Sequence, residues 1–471
     1  MAKFTEIEER LLECVTDDRL RTSLAAIRQS AEDIWATDAP RIVQDYTDHG
    51  ITHSERLAGF AAKLLEANEG RSLSAQQMYL LLAGIYIHDV GMQCDVVRFP
   101  EIKTRAEALG AKFDIEFTAQ TTSGYSIDEQ KAIRNNHQYL AAAWIDYAYR
   151  TGKTALGPAV KTIPDELVTD LTHVCMHHAK LPITDCPLML RFYPNQRKQL
   201  IAALLRFADE LDVDGHRVNI ETVKNFRLDP SNAVYWWLHN RTRVIFSAHN
   251  VILLTVRLHP DDAKEYGSFV HTAFVTEFQR KNRPVLDVLR QNDIPIAISA
   301  DSEVVGDGYA ELLPPEIVEA LQKMQQDPNL YFLKVPADGE GGIDTGIYLK
   351  PNDRILVVVT GAISYDSWHH FTNADGLFST PKGQPLLHPQ VAKPVAWPHP
   401  EAYRTNGGQL GIIGSLFGWI GEYSEDSAFL IGESAELVAE TEGYLHLSVN
   451  DAKGAYGDNK GEFEVRIRVI K

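Results

Sequence analysis

The 471-residue chain has 44% hydrophobic and 23% charged residues, the balance of a globular protein of about three domains at ~150 residues each. Its four cysteines form no CxxC pair, which argues against a disulfide scaffold, and no stretch reaches the ~18 apolar residues of a membrane span or the apolar core of a signal peptide, so the expectation is a cytoplasmic protein with no membrane partner. A formal net charge of −18 repels long polyphosphate at a distance, favouring small phosphorylated partners over non-specific wrapping of duplex DNA.

From residue 1 to about 218 the pattern is helical. Apolar residues recur at three- and four-residue spacing in ERLAGFAAKLLEA (55–67), QQMYLLLAGIYIHD (76–89), QYLAAAWIDYAYR (138–150) and KQLIAALLRFADELD (198–212). Between 219 and 330 the character changes to a small α/β segment: RVIFSA and VILLTVRL read as strands around the turn HN, followed by helix patterns and a further strand at IPIAIS. From 331 to 471 short β runs, GIYLKP, RILVVVTGAIS, YLHLSVN and FEVRIRVI, alternate with Gly, Asn and Asp turns and predict an all-β sandwich. The expected architecture is therefore multidomain: all-α, small α/β, then all-β.

The helical region carries an ordered series of metal-binding side chains: His53, the pair His88-Asp89, His137, the pair His177-His178, and Asp209. His88 and Asp89 can meet one cation, while the second oxygen of Asp89 can bridge to another; His53 and Asp209 complete a four-ligand set. His137, His177 and His178 offer three imidazoles to a second ion, although His173, four residues before His177, could replace one of the pair. Two such ions clamp a phosphate and activate water, which makes phosphoester hydrolysis the natural reaction. Arg56, on the face of His53, and Lys180, just after the histidine pair, are candidates to meet substrate phosphate, and Asp48 and Asp212 to hydrogen-bond the imidazoles. No GxxxxGK[ST] phosphate loop is present.

The order H, HD, H, HH, D, with DHGITHSERL, IYIHDVGM and RFADELDVD, resembles the HD-domain metal-dependent phosphohydrolases over residues 40 to 218. The fuller histidine complement is similar to the binuclear members, including the HD-GYP phosphodiesterases and the HD nucleases of CRISPR helicases, without the GYP signature. This resemblance implies ligation of one ion by His53, His88, Asp89 and Asp209, and of a second by His137, His177 and His178 with Asp89 bridging. Manganese, iron, nickel, zinc and magnesium all suit such ligands.

Near the C-terminus, the loop from Asn450 to Gly461 lies between two strands and is dense in oxygen ligands and glycine. Asp451, Asp458 and Asn459 can supply side-chain oxygens to a hard cation, and calcium suits them better than zinc; the competing reading is a plain Asp/Asn/Gly hairpin. The segments DTGIYLKPNDRILVVVTGAISYD, LGIIG and NDAKGAYGDNKGEFEVRI resemble the PA-IL-like calcium-dependent galactophilic lectins. That resemblance implies calcium held by Asp451, Asp458 and Asn459 and by the carbonyls of Tyr365 and Ala455, and a galactose-like sugar at the ion met by Asp451, Asp458 and His388. Asparagine and threonine are usual in that family where Asp458 and Ala455 stand here.

The expected function is a metal-dependent phosphohydrolase acting on a nucleotide, cyclic nucleotide or short nucleic acid, with Asp89, Arg56 and Lys180 at the reacting phosphate, joined to a calcium- and carbohydrate-binding module. Two alternatives remain at the level of sequence: a carbohydrate-binding sensor or bacterial defence protein whose HD core is regulatory, and a single-stranded nucleic-acid nuclease. The sandwich could also hold subunits together in a homo-oligomer.

Overall fold

The computed structural model describes residues 3–38, 42–43, 50–67, 72–118, 124–215, 230–247, 250–306, 313–325, 329–339, 341–364, 371–375, 378–379, 414–424, 427–451 and 456–470. It divides into two compact units, Met1–Phe246 with Asn282–Ile296, and Ser247–Lys281 with Ala297–Lys471.

The first unit is helical. Its helices are α1 (Glu6–Leu12), α2 (Asp18–Asp38), α3 (Ile51–Glu66), α4 (Ala75–Ile87), α5 (Pro100–Ala108), α6 (Ile127–Asn135), α7 (His137–Thr151), α8 (Gly157–Val160), α9 (Asp165–Met176), α10 (Lys198–Leu211) and α11 (Pro230–Arg241). Reciprocal capping boxes start three of them, Thr5 with Glu8, Ser74 with Gln77 and Ser126 with Glu129, each satisfying backbone N–H groups that have no partner within the helix. Helix α4 is buried at every position from Gln77 to Ile87, as expected of a helix that is apolar all round. Helices α2, α3, α9 and α10 pack around it, and α7 packs on α5 and α9. A buried network ties α1 to this core: Arg28 Nε donates to Glu8 Oε1 (2.9 Å), and the Tyr86 hydroxyl donates to the same carboxylate (2.9 Å). Burial and the Glu8 charge raise the Tyr86 hydroxyl well above its ordinary value, so it stays a donor.

The first unit also holds strand β1 (Thr242–Phe246); in the second, strands β2 (Val251–Leu258) and β3 (Ala297–Val304) pair in parallel, Val251 opposite Ala297. The C-terminal part is a sandwich of antiparallel sheets. One follows the order β11 (Phe429–Leu430), β10 (Leu416–Ile420), β13 (Gly443–Val449), β5 (Ile343–Leu349). The other follows β12 (Ser434–Val438), β6 (Arg354–Thr360), β14 (Lys460–Ile470), β7 (Ile363–Ser364), β8 (Phe371–Thr372), β9 (Phe378–Ser379), with β4 (Leu330–Pro336) also on β14. Alternate residues of both sheets, among them Ile347, Leu349, Val357, Leu445, Leu447, Phe463 and Val465, share one core, the period-2 burial of a sandwich. The sequence-derived sequence of helical, mixed and β-rich regions is the observed one. The four cysteines are free thiols, and among the described residues no helix is long and apolar enough to cross a membrane.

Candidate metal centre

The central helix α4 ends in His88, and Asp89 opens a short 3-10 turn, Val90–Gln93. Gly91 in that turn permits a close approach: a Cβ there would lie 2.0 Å from the carbonyl oxygen of His137 and 2.7 Å from the nitrogen of Ala141. The first turn of α7 therefore lies directly against the His88-Asp89 corner. His53 comes from the first turn of α3, Asp209 from the last turn of α10, and His178 from just beyond the end of α9.

These side chains form two groups that share Asp89: His53, His88, Asp89 and Asp209, and Asp89, His137 and His178. In the first group His53 Nε2 lies 3.3 Å from Asp209 Oδ1 and 3.9 Å from Asp89 Oδ2, and His88 Nε2 lies 3.2 Å from Asp89 Oδ2 and 3.9 Å from Asp209 Oδ1. In the second, the Nε2 atoms of His137 and His178 are each 3.3 Å from the other carboxylate oxygen, Asp89 Oδ1. Donors around a tetrahedral ion with bonds of ~2.1 Å stand about 3.4 Å apart. The separations here, 3.2–3.9 Å in the first group and 2.9–3.3 Å in the second, lie around that value.

Hydrogen bonding fixes which nitrogen each ring presents. The Nδ1 atoms of His88, His137 and His178 contact backbone carbonyls at Ile85 (3.1 Å), Arg134 (2.6 Å) and Cys175 (2.5 Å). A carbonyl oxygen only accepts, so Nδ1 carries the proton and a neutral ring turns the Nε2 lone pair inward. His53 Nδ1 is held by Asp212 Oδ2 at 2.6 Å. Carbonyl- and carboxylate-oriented imidazoles of this kind are the usual support of metal ligands.

Two consequences bear on what the cluster can hold. The Nε2 atoms of His137 and His178 face each other at 2.9 Å; two lone pairs at that distance repel unless a positive charge lies with them. Burial, opposed by Asp89 and reinforced by His178, brings His137 down to about 3, so it does not supply that charge by protonation. In the other group burial disfavours the charged ring, but Asp89 and Asp209 outweigh it and raise His88 to about 9. Burial likewise opposes ionisation of Asp209, yet the His53 hydrogen bond and the His88 charge hold its carboxyl below the usual range. The buried Nε2 of His88 makes no hydrogen bond of good geometry. The cluster demands positive charge, and its donor set fits divalent transition ions.

Other sequence candidates lie elsewhere. His177, the cap residue of α9, is in neither group; its Nδ1 donates back to the His173 carbonyl at 2.9 Å. His173 does not replace it, because its Nδ1 is 3.0 Å from Lys198 Nζ. Arg56 binds Asp212 through Nε (2.8 Å) and an Nη atom (3.1 Å), so it orients the carboxylate that orients His53. Lys180 is exposed and donates to Asn135 Oδ1 at 2.9 Å; burial of its stem and the nearby Arg134 lower its ammonium pKa. Asp48 lies outside the described residues.

The HD-CE family model matches residues 43–281, slightly more than half of the chain. The chain belongs to the HD-CE family. The HD-CE segment includes every member of the two candidate metal-ligand groups and runs on past the helical region and through strand β2.

The C-terminal part is similar to a different class of protein. Lectin A of Photorhabdus laumondii subsp. laumondii is 29% identical over 134 residues, 28% of this chain and 86% of Lectin A. A solved structure described as the EclA N-terminal domain, a PllA-like lectin, is 23% identical and covers 30% of this chain and 98% of its own, with a TM-score of 0.21. The family match and the likeness to Lectin A together give an HD-CE segment and a lectin-like region in one chain.

Of the predicted calcium ligands, Asp451, Asp458 and Asn459 are described, whereas Tyr365 and Ala455, and the sugar candidate His388, lie outside the described residues. Asn459 is fully buried. Its Nδ2 donates to Ala337 O (3.0 Å) and Asp451 Oδ2 (2.9 Å), which leaves the buried Oδ1 without a hydrogen-bond partner. A buried amide oxygen so oriented fits a hard cation. Strand β7, which precedes Tyr365, pairs with the start of β14, Ser364 opposite Lys460, so segments almost a hundred residues apart meet at this loop.

Proposed function

We propose that the HD-CE unit is a divalent-metal phosphohydrolase and that the lectin-like sandwich is its recognition module. One ion would be held by His53, His88, Asp89 and Asp209, and a second by Asp89, His137 and His178. The observation that carries this reading is the division of Asp89: one carboxylate oxygen faces each ligand group, with donor separations of 3.2–3.9 Å in the first and 3.3 Å in the second. Divalent ions bound there supply Lewis acidity that activates water and stabilises the charge developing on a phosphoryl group.

The chain's own residues do the rest. Carbonyl bonds to Nδ1 fix the tautomers of His88, His137 and His178, and Asp212, itself clamped by Arg56, fixes His53, so that the ligand lone pairs converge without reorganisation. Lys180, two residues beyond His178, would supply positive charge for a substrate phosphate. The substrate class is a nucleotide, cyclic nucleotide or short nucleic-acid phosphoester. In the sandwich, Asp451, Asp458 and Asn459, with the carbonyls of Tyr365 and Ala455, would hold calcium, and a sugar of galactose type would bind at that ion with His388 beside it.

The test is metal content of the purified protein by mass spectrometry, together with hydrolysis of nucleotides, cyclic nucleotides and short oligonucleotides, beside Asp89→Asn. The expected result is bound metal and turnover in the parent and loss of both in the variant. Turnover unaffected by Asp89→Asn would rule out this site.

A further inference from the structure

On the flank of α7 and α9, facing α5, lies a cavity of about 330 Å³, at the lower end of the ~300–1,000 Å³ typical of small-molecule sites. One wall is apolar, formed by Leu109, Val168 and Met176 together with alanines of α7. The polar residues are Arg105, Arg150, Asp146 and His173 with two threonines. Asp146 lies nine positions after His137 on α7, roughly 14 Å along the helix axis from the metal centre.

The polar side is organised. Asp146 accepts from Arg105 Nη1 (2.5 Å) and from Arg150 Nε (2.7 Å). One carboxylate thus fixes two guanidinium groups, leaving a net positive charge and N–H donors to spare on both. His173 is set by a buried ion pair: Lys198, 2% exposed, donates from Nζ to Asp170 Oδ1 at 2.9 Å and to His173 Nδ1 at 3.0 Å. Asp170 is fully buried and also receives the Arg191 backbone N–H at 3.0 Å. An ammonium only donates, so His173 Nδ1 is the acceptor and Nε2 carries the hydrogen. Burial and the Lys198 charge lower His173 to about 4, which keeps the ring neutral. A buried Asp-Lys pair is costly to maintain unless it is well hydrogen-bonded; here Asp170 and His173 take two of the three ammonium hydrogens, and the result is one oriented N–H donor on a residue that lines the cavity.

We propose that this cavity is a second ligand site, separate from the metal centre, for a small organic anion: an oxyanion head meets Arg105 and Arg150, His173 Nε2–H donates to a further acceptor, and an apolar body lies against Leu109, Val168 and Met176. Phosphate monoesters and carboxylates share this chemistry, and the two guanidinium groups suit either. The test is calorimetric titration of the full chain, stripped of metal and carrying Asp89→Asn, with phenyl phosphate and separately with benzoate. The expected result is binding of at least one, weakened about tenfold by Arg150→Ala or Arg105→Ala as a charge-assisted bond is lost, and weakened also by His173→Phe. Phenyl phosphate alone would assign the site to phosphate esters, benzoate alone to carboxylates. Both arginines reach solvent, so their variants fold, which thermal unfolding verifies. No binding of either probe at millimolar concentration, or binding untouched by both arginine substitutions, overturns the proposal.

Discussion

Gly91→Ala probes the candidate metal centre without replacing a ligand side chain. The added methyl would stand 2.0 Å from His137 O, where an ordinary carbon contact needs about 3.4 Å, so the turn and the start of α7 must separate by roughly 1.4 Å, since both partners are backbone atoms and neither can rotate away. Metal–ligand distances tolerate only ~0.2 Å. The displacement is several times larger and falls on His137, which would share the proposed second ion with His178 and Asp89, while His53 and Asp209 stand on other helices. Overpacking of this kind costs about 1–3 kcal/mol. The expected variant is folded, with a lower unfolding temperature and with metal content reduced from two equivalents toward one, read by mass spectrometry beside calorimetry. A variant holding two equivalents with parental stability would refute the argument that this approach builds the second site.

The remaining predictions concern single side chains. His178→Ala should remove the second ion, whereas His177→Ala should keep it, because His177 belongs to neither donor group; equal metal loss in both would return His177 to the ligand set. Asp212→Asn withdraws the charge shared by His53 and Arg56, and metal affinity should fall ~10–100-fold, measured by competition with a chromogenic chelator; unchanged affinity would reduce Asp212 to a packing role. Calcium should raise the unfolding temperature of the parent but not of Asp451→Ala, and a response that survives the substitution would make the 450–461 loop an ordinary hairpin.

Much of the candidate site is legible in the sequence because its residues sit at the ends of helices that their apolar residues mark out. The His88-Asp89 corner closes the apolar run of α4, and Asp209 lies in the last turn of α10. Helical periodicity stops being informative where a helix stops. His177 caps α9 and His178 lies beyond it, so spacing alone does not tell which of the pair turns inward. Arg56 shares the face of His53 as expected, but its partner Asp212 is 156 residues away, and only the tertiary fold shows that the carboxylate engages the guanidinium. Lys198 begins α10 and reads as a surface cation; its burial against Asp170 depends on the packing of α10 against α9. The sandwich strands follow from their alternation, whereas the convergence of Ser364 with Lys460 is a matter of register that no local pattern contains.

The carbonyls that orient the imidazoles belong to the final turns of helices: Ile85 in α4, Arg134 in α6 and Cys175 in α9. Such carbonyls lack the i+4 N–H partner of a helix interior. His88, His137 and His178 therefore act as C-terminal caps through one nitrogen and as ligands through the other. Substituting any of them frays a helix end even in metal-free protein, whereas Asp89→Asn leaves those caps in place. Hydrogen exchange at the last turns of α4, α6 and α9 should thus be faster in the histidine variants than in Asp89→Asn, separating the part of each imidazole that holds the fold from the part that holds an ion.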